Sequence, residues 1–368
     1  MKKYFTLFCV VIIMFTTSNS FGEETAMKTK VIREDDKVMI EGIEGFSFEE
    51  YASSVHGAQA KILEALGEEV SYEYLLGSSG LAFRIQVFKD VLCPSSPHSC
   101  CGYQCIQGSN NISPWEFLVY QPKPEDTQKV TEMRKAVVES IDKGIPVQYG
   151  TIEDGIIIGY QKDGDEWLCY YPLHQNGKQI LVETQVPWGV AVYTARKDSM
   201  PSKNELAITS LKQAVEMAHQ EDADEYWLGF RAWDEYINYL EKLNDDNTQI
   251  KEDDLLGNAW IYECLVAYRL HAANYLRGIA QGFYEEVETP LLNAADLYEK
   301  MVTEKLLDEQ GCFTDFVPYP WMLEKNQTWS NKMREEEIKR LKEALPLEKE
   351  AIAQLEKALE NVTTKKTK

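Results

Sequence analysis

Cys93, Cys100, Cys101 and Cys105 crowd into one Pro-, Ser- and Gly-rich stretch that also holds His98. Thiolate and imidazole are the ligands that zinc prefers. A thiol beside a histidine can also serve as a nucleophile, and paired thiols staple loops in exported proteins. The spacing contains no C-x-x-C knuckle, so no metal is assigned. Disulfides are the reading taken; the alternative is a reactive thiol, Cys93 or another of the loop cysteines, with His98 or His56 as its base. Adjacent Cys100 and Cys101 would pair with two different partners more easily than with each other. A second chemical feature is Glu153-Asp154, two carboxylates at the head of an apolar run. They can hold a cation, an amine or a sugar hydroxyl in a pocket, or simply form an acidic turn before a strand.

The elements that position these groups follow from hydrophobic period and punctuation. Residues 144–172, GIPVQYGTIEDGIIIGYQKDGDEWLCYYP, read as three short strands joined by turns, a meander with Asp-Gly punctuation. Residues 57–66 carry an apolar stripe and end at Gly67, and Ser71 is placed to cap a further helix. Leu81–Val87 reads as a strand, as do 37–41, 115–120, 179–182 and 189–193, while 126–143 reads as an amphipathic helix. Beyond Pro201 the period turns helical, with helices expected at 204–217, 223–243, 253–283, 291–310 and 334–361. Pro346 is expected to bend or restart the last of these. Trp227, Phe230, Trp233 and Tyr236 form a stripe that suits core packing or a carbohydrate or peptide platform. His271, on a long apolar helix, reads as a packed histidine.

The 368 residues, 44% hydrophobic and 11% aromatic, allow two ordinary domains. Residues 1–22 have the form of a signal peptide: basic Lys2-Lys3, an apolar run from Tyr4 to Thr17, and small residues before Glu23. The expected location is therefore outside the cytoplasm, periplasmic or extracellular, with no stable membrane insertion after cleavage. Loss of that segment leaves 36 basic against 60 acidic side chains. Such a balance excludes a nucleic-acid partner, because no basic footprint exists to displace phosphate counterions. Cationic ligands are electrostatically welcome. Seven cysteines remain, an odd number that leaves at least one thiol unpaired or bonded between molecules. No cofactor motif is present.

The stretches VHGAQAKILEALGEEVSYEYLLGSSGLAFRIQV and KGIPVQYGTIEDGIIIGY resemble the family built on the N-terminal domain of the butirosin-biosynthesis acyltransferase. That family has a cysteine-peptidase-like fold related to bacteriocin-processing peptidases. The resemblance spans residues 46 to about 195 and implies a papain-like domain over 46–200. With the helical pattern beyond Pro201 read as an all-α helical domain over 202–368, the expected fold class is α+β. The resemblance also implies a catalytic Cys at the head of the central helix and a His at the head of a strand. The first place falls on Ser53–His56, with Ser54 the best match; the second falls on Glu153 and Asp154. Neither catalytic residue type is present. Ser54 is open to three roles: helix cap, nucleophile or ligand contact. Arg84, in the family's Phe-Arg step, would recognise a ligand carboxylate or pair with Glu153.

The expectation is a catalytically degenerate exported protein that binds a small or peptidic ligand in the former cleft through Ser54, Arg84, Glu153 and Asp154. Two alternatives stand beside it. One is an active thiol-dependent hydrolase or acyltransferase using a loop cysteine; the other is an interaction protein acting through its helical domain.

Overall fold

The computed structural model describes residues 27–105, 110–245, 252–324 and 327–365, so the signal-peptide reading lies outside the described residues. The architecture is α+β, with an antiparallel sheet and a helical C-terminal region. A hairpin opens it: β1 (Lys30–Glu34) and β2 (Lys37–Glu41) turn through Asp35, whose φ is +46°. Helices α1 (Ser54–Ala65) and α2 (Tyr72–Ser78) follow. Next come the short strands β3 (Gln86–Phe88) and β4 (Trp115–Tyr120) and the helix α3 (Thr127–Asp142). The expected meander is present as β5 (Val147–Gly150), β6 (Asp154–Gln161) and β7 (Glu166–Tyr170), succeeded by β8 (Leu181–Glu183) and β9 (Gly189–Arg196).

In the eight-stranded sheet the order β1-β2-β6-β5-β9-β4 runs across, and β7 and β8 add beyond the other side of β6. Strand β6 is therefore central. Its Asp154 pairs with Gly150 of β5 and its Ile156 with Tyr170 of β7. Its residues 155–160 are buried on both faces, since α1 packs on one and α3 on the other. Its continuous Gly-Ile-Ile-Ile-Gly-Tyr run needs that double cover.

Helix α1 is buried along nearly its whole length. Gly57 allows this, because a Cβ there would come within 2.8 Å of the Phe46 ring.

The second half adds α4 (Lys203–His219), a ribbon of β10 (Asp222–Ala223) and β11 (Tyr226–Leu228), then α5 (Gly229–Leu243), α6 (Glu252–Ala280), α7 (Glu285–Lys300) and α8 (Asn331–Lys365). Two expectations change here. The helix expected over 223–243 begins only at Gly229, which takes φ +57° against the carbonyls of Met217 and Ala218. The residues before it form a strand that pairs Trp227 with Val87 of β3. The region beyond 202 is thus not all-α, and backbone hydrogen bonds cross the boundary expected there. The strand expected at 81–87 is likewise shortened, since Leu81–Phe83 form a 3-10 turn before β3.

Helix α6 is the spine. Tyr262, Leu265, Tyr268, Ala272 and Leu276 are all buried, as their spacing predicts. It meets α2 closely enough that a Cβ on Gly77 would strike the Tyr275 ring at 2.1 Å. Buried side chains of both halves form one continuous core. Pro346 does not end α8, which runs through it for 35 residues while Leu341, Ala344, Ala351 and Ile352 stay buried on either side. Trp233 and Tyr236 of the aromatic stripe are core, and Trp227 and Phe230 are half-buried against it. No helix among the described residues is long and apolar enough to cross a membrane.

Candidate functional site

Two elements meet at the candidate site. Ser54 is the first residue of α1, with Ser53 as its N-cap. The three-residue turn between β5 and β6 ends at Glu153, tightened by a 2.9 Å bond from Thr151 N–H to Glu153 O. Packing of α1 against β5 and β6 brings these ends together. Ser54 Oγ donates to Glu153 Oε2 at 2.6 Å and accepts from Asp154 N–H at 3.1 Å. Ser54 is therefore neither a helix cap nor open to solvent; it is 2% exposed and tied to the sheet on both sides. Gln148 of β5 donates to Asp154 Oδ1 at 2.8 Å, and the Tyr171 hydroxyl accepts from Glu153 N–H at 3.3 Å.

The two carboxyls are partly exposed but largely desolvated. Burial pushes the Glu153 carboxyl up to about 7; the Ser54 hydrogen bond works against this, and the neighbouring Asp154 charge adds to it. Burial raises Asp154 to about 6, opposed by Gln148. His98 approaches from the loop, with Nε2 3.9 Å from Asp154 Oδ2. Its Nδ1 accepts from Cys100 N–H at 3.3 Å, which puts the ring proton on Nε2, toward the acid. Burial and the Arg84 charge drop His98 to about 4, so the ring is neutral beside Asp154.

His56 is fully buried and bonded to Ser53 rather than to either carboxyl. Its Nδ1 shares a 2.9 Å bond with Ser53 Oγ, and burial followed by the Arg84 charge lowers it to about 3.

Arg84 departs from both of its expected roles: it meets no carboxylate and does not pair with Glu153. Its guanidinium is buried and donates to the backbone carbonyls of Ser96, Pro97, His98, Cys101 and Tyr103, at 2.7 to 3.4 Å. Gln86 adds bonds to the carbonyls of Ser96 and Cys101 and accepts from Tyr103 N–H. An irregular loop presents carbonyls without ladder partners, and a buried fork of five N–H donors satisfies them. A lone Arg and Gln inside the apolar stretch LAFRIQV, next to a loop lacking regular structure, was the signal for this role.

The same arrangement replaces the expected staple. All seven described cysteines are free thiols, and the loop is wrapped around Arg84 instead. Nor are Cys100, Cys101 and Cys105 stabilised as thiolates. Burial pushes Cys100 up to about 11 with Asp154 adding to the rise, and burial also raises Cys101 and Cys105. Cys93 lies near Cys101, which also feels the Glu153 charge. Among the described residues no group of three or more His, Cys, Asp or Glu side chains could hold a metal ion.

Ser54, Glu153, Asp154 and His98 are thus brought together, while Arg84 is engaged by the loop carbonyls and His56 by Ser53. What this site offers chemically is hydrogen-bond acceptance and negative charge. Its nearest guanidinium is fully engaged by loop carbonyls, and its histidine is neutral. No protein-family model matches the chain, and no curated protein matches it.

Proposed function

We propose that this chain is an exported, cysteine-peptidase-like protein without peptidase chemistry, which binds a cationic small or peptidic ligand where the catalytic pair of its fold would stand. The observation that carries this reading is the 2.6 Å bond between Ser54 and Glu153. The nucleophile position at the head of the central helix and the base position at the head of the central strand hold a hydroxyl and a carboxyl bonded to each other. Two adjacent, desolvated carboxyls with no Lys or Arg partner among the described residues favour a positive ligand, because its charge offsets their desolvation. The pronounced acidity of the chain supports the same sign.

Calorimetric titration of the full chain with phenylalaninamide and its N-acetyl derivative tests the reading. The free amine is expected to bind, with affinity falling at least tenfold in Glu153→Gln and in the acetylated probe. Equal binding of both probes, or binding unchanged in Glu153→Gln and Asp154→Asn, would sink it.

A serine nucleophile is the second reading, favoured by a carboxyl raised to about 7 as its hydrogen-bond partner. Against it, Ser54 is almost fully buried and Asp154 N–H already occupies its oxygen. Labelling by a fluorophosphonate probe that disappears in Ser54→Ala would promote this reading.

A further inference from the structure

The end of the sheet that carries Glu153 also carries apolar side chains with no cover. Ile152, immediately before Glu153, is 69% exposed, Trp188 is 67% exposed and Leu173 is 49% exposed. The pairing brings them to one place. Trp188 N–H donates to Gly150 O at 2.9 Å, so Trp188 flanks the β5–β6 turn on the β9 side. Tyr171, whose hydroxyl bonds Glu153 N–H and Thr151 Oγ1, holds the end of β7 against the same turn, and Leu173 lies two residues beyond it. Ile152, Leu173 and Trp188 thereby gather around the turn that ends at Glu153. Singly exposed apolar residues need no explanation, but three at one strand end beside two unneutralised carboxyls form an amphipathic recognition surface.

We propose that this rim selects a peptide amino terminus whose first residue has a bulky apolar side chain, the α-ammonium lying on Glu153 and Asp154 and the side chain on Trp188 and Ile152. The inference rests on the reading of the site given above and adds the class of ligand. The geometry favours an amino terminus over a lysine. Acid and apolar contact lie one residue apart on the turn, and in an amino terminus the ammonium and side chain branch from the same carbon. A lysine ammonium stands at the end of a four-carbon stem, which would carry the peptide's other side chains past the rim. A polyamine or amino sugar has the charge but nothing to cover Trp188.

Three probes on the full chain separate the two levels of this argument: Phe-Phe amide, Gly-Gly amide and N-acetyl-Phe-Phe amide, followed by calorimetry and by tryptophan fluorescence. Phe-Phe amide is expected to bind about tenfold or more tightly than Gly-Gly amide. In Trp188→Ala that preference should shrink several-fold, with thermal unfolding unchanged because the indole is exposed. The acetylated peptide should bind weakly or not at all. If both amines bind equally and Trp188→Ala alters nothing, the rim assignment is overturned while the acidic site stands. If the acetylated peptide binds as well as the free one, or none of the three binds, the site and the rim fall together.

Discussion

Desolvated carboxyl groups in this molecule are treated in two opposite ways, and neither way belongs to one half. Glu68 in the sheet half is met by Arg196 and Trp115, whereas burial alone raises Glu263 of α6 to about 8. In the helical half Glu348 lies against Arg269, with bonds of 2.8 and 2.7 Å between side chains that are 3% and 0% exposed. Arg269 spends a further donor on Ala82 O, at 2.9 Å, in the 3-10 turn of the first half. Glu337, fully buried, closes a ring with Tyr236 and Asn258. In the sheet half Glu153 and Asp154 have one side-chain donor each, Ser54 and Gln148, and a neutral histidine at 3.9 Å. A buried acid with its full set of partners is architecture. A desolvated acid short of partners costs stability unless something else arrives, and such groups gather at binding sites.

The contrast is broken most violently at Arg269. Arg269→Met leaves Glu348 buried without its counter-charge and the Ala82 carbonyl without its donor. A loss of about 3–5 kcal/mol is expected, read from the shift in denaturant midpoint. Arg269→Met combined with Glu348→Leu should recover much of it, because the cost lies in the stranded charge. A double variant no more stable than the single would show that the pair is not the reason.

Glu337 comes next. The Tyr236 hydroxyl has one proton but lies 2.6 Å from Asn258 Oδ1 and 2.9 Å from Glu337 Oε1. A proton on Glu337 resolves that count, and Asn258 Nδ2 then donates to the other oxygen at 3.1 Å. Burial pushes the Glu337 carboxyl up to about 8, with Tyr236, Asn258 and the Arg334 charge opposing the rise. Its folded value exceeds the unfolded one, so its contribution is fully present below about pH 4 and is lost as pH rises through about 8. Glu337→Gln, which keeps one donor and one acceptor, should cost under about 1 kcal/mol near pH 4 and flatten the stability–pH curve across that window. Glu337→Ala should cost about 2–3 kcal/mol. An unchanged slope in Glu337→Gln would mean the ring carries no proton.

The two halves differ in how much of them was legible. The meander, the α6 spine and the helices around it were written in period and turn residues, which is local information. The β3–β11 pairing was not, because a Tyr-Trp-Leu strand three residues long has no period and looks like the first turn of the helix that Gly229 starts. At the site, Ser54, Glu153 and Asp154 were placed by resemblance and do meet. Arg84 was misread because its type suggested a ligand partner, whereas its partners are carbonyls that no sequence pattern marks. The thiols of the loop show the same limit: four cysteines in a short stretch fix their proximity but not the orientation that bonding needs.

The smallest effect expected is also the one that most directly separates function from architecture. Glu153→Gln keeps an acceptor for the Ser54 hydroxyl and removes a desolvated acid that has no cation. The Glu153 carboxyl is raised to about 7 in the folded chain, so its stabilising proton is held fully below about pH 4 and lost as pH rises through about 7. The variant should therefore match the wild type near pH 4 and exceed it by on the order of 1 kcal/mol at pH 8. It should also ease the ionisation of Asp154, whose charge and that of Glu153 oppose each other. A gain in stability above pH 7 together with a loss of amine binding is what a site held ready for a cation would give. If Glu153→Gln instead destabilises the chain by 2 kcal/mol or more at pH 8, on the scale of a broken buried hydrogen-bond network, then the Ser54–Glu153 bond is a structural clasp like those of the helical half.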